Sequence, residues 1–156
     1  MMYKFIATGL VALNGLLLLA LPLQAQEIKQ KRDCTATVAV AEKRIETGRV
    51  IELRVRSQDI SEEYPDHPEG RPYSYFFIVD GAAAESIMRS EKFQMSIATE
   101  VIRNCSTVGS VTFGLDHSGW SSSIGLMDNG KIEPFECLDH DVANPKLKWG
   151  QEYCSL

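Results

Sequence analysis

The sequence predicts an α+β fold: a two-layer domain with one main helix packed on an antiparallel sheet, in the order β-β-β-α-β-β-β. Three observations carry that reading. Residues 50–56 alternate apolar and polar, and residues 73–79 are aromatic and β-branched, both patterns that suit strands. Residues 91–104 place Phe93, Ile97 and Val101 on one helical face. Asp128-Asn129-Gly130 separates two further strand-like runs with residues that accept positive φ. A helix and a set of strands with one apolar face each bury those faces against one another.

The chain opens on an export pattern. Lys4 is followed by an apolar stretch from Phe5 to Leu23, then by the small residue Ala25 and a polar run. This is the order of basic, apolar and cleavage regions in a signal peptide. A retained anchor is the competing reading. The stretch is interrupted by Asn14 and Gly15 and ends at Pro22, whereas a membrane helix wants ~20 consecutive apolar residues. Cleavage is expected after Ala25 or Gln26. We read residues 1–25 as the signal peptide, 26–33 as a loose N-terminus and 34–156 as one disulfide-stapled domain. The expected location is extracytoplasmic, periplasmic or secreted.

Removing residues 1–25 leaves 131 of the 156 residues and takes away a single charge, Lys4, so net charge moves from −5 to −6. A chain of that length can bury its own core. Its mildly acidic, mixed-sign charge argues against nucleic-acid binding, which needs concentrated Lys and Arg. No second long apolar run follows, so no membrane span is expected after cleavage, and a monomer is expected.

The remaining elements follow in order. Thr35 to Val40 alternates Thr and Ala with Val and reads as a first strand. Glu46-Thr47-Gly48 turns the chain into the second, with Ile51, Leu53 and Val55 facing in and Glu52, Arg54 and Arg56 facing water. Residues 57–72 are dense in acids and prolines and read as a long exposed loop, of a length that often carries function. The run 73–79 is a buried strand, and 82–89 a short helical turn. Ser90-Glu91 reads as the cap and first turn of the main helix. Strands at 109–115, 120–127 and 131–137 form a meander, the last at an edge because of Pro134. The tail, 138–156, is irregular, with Trp149 as its anchor.

Cys34, Cys105, Cys137 and Cys154 have long, irregular spacings and no C-x-x-C. Zinc-knuckle and thioredoxin-type motifs are therefore absent. An even count in an oxidising compartment reads as two disulfides. Three pairings are open, and Cys34–Cys105 with Cys137–Cys154 is preferred.

All three histidines follow an aspartate, as Asp66-His67, Asp116-His117 and Asp139-His140. Converging, His67, His117 and His140 would make a metal site. Loops also collect Asp as turn starters, and no ligand motif supports convergence. A serine hydrolase lacks its elbow motif, and adjacent Asp116-His117-Ser118 side chains point apart on extended backbone. Asp128 to Glu133 lacks the ligand spacing of a calcium loop. Asn104-Cys105-Ser106 matches a glycosylation sequon, but it overlaps an expected disulfide and no glycan is expected. No cofactor is expected. Aromatic residues at 73–77 and Trp120 suit either core or a binding surface. Tyr64, Asp66, His67 and Trp120 are the candidate binding residues, Tyr64 because nothing periodic buries it.

Cys105, Val108, Val111, Phe113, Gly114, Gly125-Leu126, Gly130, Phe135, Cys137, Trp149-Gly150 and Cys154 carry a resemblance. In these residues the C-terminal half resembles a group of small uncharacterised exported proteins of cyanobacterial type. The resemblance implies an exported, disulfide-bonded domain and transfers no activity. The expected role is a non-enzymatic binding or protein-interaction module for an unknown protein or small molecule. The alternatives are a metal-dependent enzyme built on the Asp-His loops, or a structural or assembly factor of the cell envelope.

Overall fold

A computed structural model of the chain describes residues 21–139 and 146–153, with side chains from residue 33 onward. Its elements are α1 (Leu21–Glu46), β1 (Glu52–Asp59), β2 (Tyr73–Asp80), α2 (Ala84–Met88), α3 (Glu91–Asn104), β3 (Val108–Leu115), β4 (Ser121–Leu126), β5 (Ile132–Pro134), β6 (Glu136–Leu138) and β7 (Gln151–Tyr153). The α+β class is as expected. The first strand is not: 34–40 belongs to a helix. Thr and Val favour strands, but Cys34, Val38, Ala41 and Ile45 recur at helical spacing. Val38, Ala41 and Ile45 are buried in the core, with Cys34 packed against it. Tertiary burial overrides local propensity here. The backbone of 26–33, expected to be loose, is also helical, consistent with its Gln, Glu, Lys and Arg.

α1 ends as helices commonly do, with Gly48 at φ 71°. Arg49 Nη1 donates to the carbonyls of Arg44 and Ile45 at 3.0 and 2.9 Å, satisfying two groups the helix leaves unpaired. The Arg44 guanidinium reaches Glu100 and Ser96 and ties α1 to α3.

Five strands form a sheet in the order β1-β2-β3-β4-β5. β2 and β3 pair in parallel and the other pairs are antiparallel, so the sheet is mixed where an antiparallel one was expected. The connection explains this. α2 and α3 lie between β2 and β3, and a parallel neighbour needs such a crossover. Pro134 lies on the edge strand β5, as expected, and β6 and β7 form a separate parallel pair. No described helix is long and apolar enough to cross a membrane.

Register sorts side chains onto two faces. Leu53, Val55, Phe77, Val79, Val111, Phe113 and Ile124 meet the helices. Phe77 and Phe113 stack with ring centres 5.6 Å apart. From α3 come Ile97, Ala98, Val101 and Ile102, all buried. Ser90 stands at the expected N-cap but makes no side-chain cap bond. Buried Gln94, in the first turns of α3, donates from Nε2 to the carbonyls of Ile87 and Met88, closing the end of α2.

The loop after β1 is folded rather than exposed throughout. Ile60 and Tyr64 are buried one helical turn apart, and the Tyr64 N–H donates to the Ile60 carbonyl at 2.8 Å. Arg71 closes the loop. Its Nη1 lies 2.9, 3.3 and 2.8 Å from the carbonyls of Ile102, Cys105 and Val108, clamping the end of α3 to the start of β3. Arg71→Leu removes a charged donor from partly buried carbonyls. It is expected to cost about 2 kcal/mol, read as a lowered denaturant midpoint with unchanged slope.

Candidate functional site

The sheet face away from the main core carries three rows of side chains across the strands. Ser74, Ser110, Gly125 and Glu133 form the first. Arg56, Phe76, Thr112 and Ser123 form the second. Arg54, Ile78, Gly114 and Ser121 form the third.

A second apolar cluster packs over Gly125 of the first row. It comprises Ile60, Tyr64 and Phe135, with Met127, Leu147 and Trp149 packed against it. Tyr64, Phe135 and Trp149 meet edge to face, at centroid distances of 5.1–5.7 Å. The rings come this close to the sheet because Gly109 and Gly125 have no side chains. A Cβ at Gly125 would lie 2.4 Å from Phe135 Cε1, and one at Gly109 would lie 2.7 Å from the Arg71 carbonyl oxygen.

The second and third rows, with Ser74 and Ser110 of the first, line a trough. It is made of two depressions of about 640 and 220 Å³ that share Phe76, Thr112 and Ser121. Ile78 lies flat over Gly114, where any Cβ would come within 2.9 Å of Ile78 Cδ1.

The two ends differ in charge. At the larger end stand Arg54, Arg56, Asp116, His117 and Trp120. The Arg54 guanidinium pairs with Asp116. Arg56 instead lies over the Phe76 ring, its Cζ 4.7 Å from the centroid, and no carboxylate pairs with it among the described residues. Residues 116–120 form the end wall. The Ser118 hydroxyl donates to the Leu115 carbonyl and accepts the Trp120 N–H, at 2.9 and 3.1 Å. His117 takes φ 55° in this turn and is largely exposed. Arg89 holds Trp120 by a cation–π contact at 5.3 Å.

The smaller end is lined by Glu63, Tyr64, Glu152 and the hydroxyls of Ser74, Ser110, Thr112 and Ser123. Thr112 Oγ1 and Ser123 Oγ lie 3.0 Å apart. Glu152 accepts the Ser123 N–H at 3.0 Å. Burial raises its carboxyl above the ordinary value, against the lowering effect of the Ser123 bonds. Burial first, and the charges of Glu63 and Glu152 next, raise the Tyr64 hydroxyl, which stays protonated and donates to the Gln151 carbonyl at 2.8 Å.

The Glu152 shift has a testable sign. The folded state binds this proton more tightly than the unfolded state. The stability that protonation contributes is complete below the ordinary value of 4.5 and is lost as pH rises through the raised folded value. Glu152→Gln, which stays neutral, is expected to be more stable than wild type at neutral pH, with a flatter dependence above that value. Thermal melts across pH 4 to 8 check this; parallel curves would count against a desolvated carboxylate.

The sequence candidates scatter. Trp120 stands on the trough and His117 at its rim. Tyr64 is buried in the second cluster rather than exposed, because the loop folds one turn that carries it onto Phe135 and Trp149, and it lines the smaller end of the trough. The Asp66 carboxylate accepts the Trp149 N–H at 3.1 Å and so joins loop to tail, while His67 Nδ1 is 2.9 Å from the Pro68 carbonyl oxygen within the loop. His140 lies outside the described residues. Among the described residues no three His, Cys, Asp or Glu side chains come together as a metal site would require. Cys34 and Cys105 are disulfide-bonded, as preferred. Cys137 is not free, and Cys154, its expected partner, lies outside the described residues.

The residues sequence reasoning missed are Arg54, Arg56, Ile78, Thr112, Ser123 and Glu152; Phe76 is among the aromatics weighed as a binding surface. Their one local signal is that β2 is apolar on both faces while its neighbour β1 puts two arginines outward. No protein-family model, curated protein or solved structure matches this chain, so the site is read from its own residues.

Proposed function

We propose that the chain is an exported, non-enzymatic binding module whose ligand occupies the trough on the open sheet face. One observation carries this reading. The second cluster packs over Gly125 at one side of this face, leaving Phe76, Ile78 and Trp120 beside Arg56 in a walled depression of about 640 Å³. Ligand sites combine an apolar floor with a few fixed polar groups in this way. The Cys34–Cys105 bond, the leader pattern of residues 1–25 and the resemblance of the C-terminal half support export. Cleavage after Ala25 or Gln26 would leave in place the core contacts that α1 makes through Cys34, Val38, Ala41 and Ile45.

The trough is tested by native mass spectrometry of the protein isolated from its own envelope fraction. Wild type is expected to carry a bound small-molecule mass that Ile78→Glu, which puts a charge on the trough floor, loses. The same adduct on both proteins, or none on either, contradicts the reading. N-terminal sequencing of the same sample is expected to begin at Gln26 or Glu27; an intact Met1 contradicts export by cleavage.

A further inference from the structure

Resting on that reading, we infer that the trough takes a short zwitterionic peptide of about four residues, its carboxylate at Arg56 and its ammonium at Glu152. The argument begins with charge. The larger depression ends at two arginines, one neutralised by Asp116 and the other, Arg56, paired with no carboxylate among the described residues. The smaller one ends at Glu63 and Glu152. Because the depressions share Phe76, Thr112 and Ser121, they form one path with a cation at one end and a carboxylate at the other.

Register then sets the length. Arg56, Phe76, Thr112 and Ser123 are direct neighbours across four strands, and the Ser123 N–H meets Glu152. Three inter-strand steps of ~4.8 Å span about 14 Å, and an extended peptide advances about 3.4 Å per residue. A free amino acid is too short to reach both ends. Four residues match.

The middle of the path suits a peptide backbone. The Thr112 and Ser123 hydroxyls bond each other and the Ser123 side chain also bonds Glu152, so lone pairs remain on the pair to accept peptide N–H groups. Phe76 and Ile78 supply an apolar floor, and Trp120 a wall for one side chain. The Arg56 guanidinium, resting on an aromatic face, offers a planar fork for a terminal carboxylate.

The test titrates the oxidised, full protein with a mixture of tetrapeptides bearing free termini. Parallel titrations use N-acetylated, C-amidated and doubly capped versions, and a free-terminus dipeptide mixture. Calorimetry gives affinity, and amide chemical shifts locate binding. Either cap, and the dipeptides, are expected to bind at least tenfold more weakly. Glu152→Gln should weaken free-amine peptides but not N-acetylated ones, and Arg56→Gln should weaken free acids but not amides. Capped and free peptides binding equally in the trough would overturn terminus recognition while leaving the trough as the binding face. No peptide binding, or binding elsewhere, would overturn the inference outright; the mass-spectrometric test judges the trough separately.

Discussion

Removing the Cys34–Cys105 disulfide is expected to destabilise the fold by about 4 kcal/mol. The bond joins residues 71 apart in sequence, and closing a loop of that length restricts the unfolded chain by this amount in the entropy model. Domains of this size are stable by about 5–15 kcal/mol, so the loss is a large fraction of the whole. The position adds to the effect. Cys105 is buried at the end of α3, and Cys34 packs against the core from α1. Without the bond, α1 is held by Val38, Ala41, Ile45 and the link from Arg44 to Glu100 and Ser96. The double variant Cys34→Ala/Cys105→Ala avoids a lone buried thiol. Its urea midpoint, measured under oxidising conditions, is expected to fall well below that of wild type. An unchanged midpoint would show that α1 is held by packing alone.

Tyr64→Ala is expected to cost about 3–5 kcal/mol, as truncating a buried aromatic does. Tyr64 is 6% exposed, and its ring contacts both Phe135 and Trp149. It ties three segments together: the loop after β1, the strand junction at Phe135 and the C-terminal tail. Tyr64→Phe keeps the ring and removes the bond to the Gln151 carbonyl, so it should cost only about 1 kcal/mol. The ratio of the two losses, from denaturant unfolding, separates packing from hydrogen bonding. Equal losses would contradict the account, because the hydroxyl would then carry the whole effect. Tyr64→Ala should also open the smaller end of the trough, which Tyr64 lines.

Local pattern made much of the fold legible. The main helix falls at Glu91–Asn104 as its four-residue periodicity indicates, and β2 covers the aromatic run. The Asn-Gly turn is present, with Gly130 at φ 78° and the Lys131 N–H donating to Asn129 Oδ1. Trp149 does anchor the tail, its indole N–H donating to the Leu126 carbonyl at 2.8 Å. What failed was decided at long range. Thr35 to Val40 has strand propensity, and only the burial of Val38 and Ala41 against other elements selects a helix. The parallel pairing of β2 with β3 follows from the crossover through α2 and α3, which a strand-by-strand reading does not count.

The trough was not legible for the same reason. Arg56, Phe76, Thr112 and Ser123 are far apart in sequence and become neighbours only through register. Outward arginines on β1 look like ordinary solvated positions, and Glu152 sits in a tail without periodicity. Conversely, the Asp-His pairs were conspicuous in sequence, yet Asp66 joins loop to tail, His67 makes a local contact with Pro68 and His117 stands exposed at the trough rim.

The central claim is that the uncovered part of this sheet face, and not the part beneath the second cluster, receives the ligand. The two tryptophans divide along that line, Trp120 at the trough and Trp149 in the second cluster. Labelling with 5-fluorotryptophan gives one fluorine resonance for each, assigned from Trp120→Phe. On titration with the free-terminus tetrapeptide mixture, the Trp120 resonance is predicted to move saturably while that of Trp149 stays fixed. A saturable shift at Trp149 with Trp120 unmoved would contradict the account.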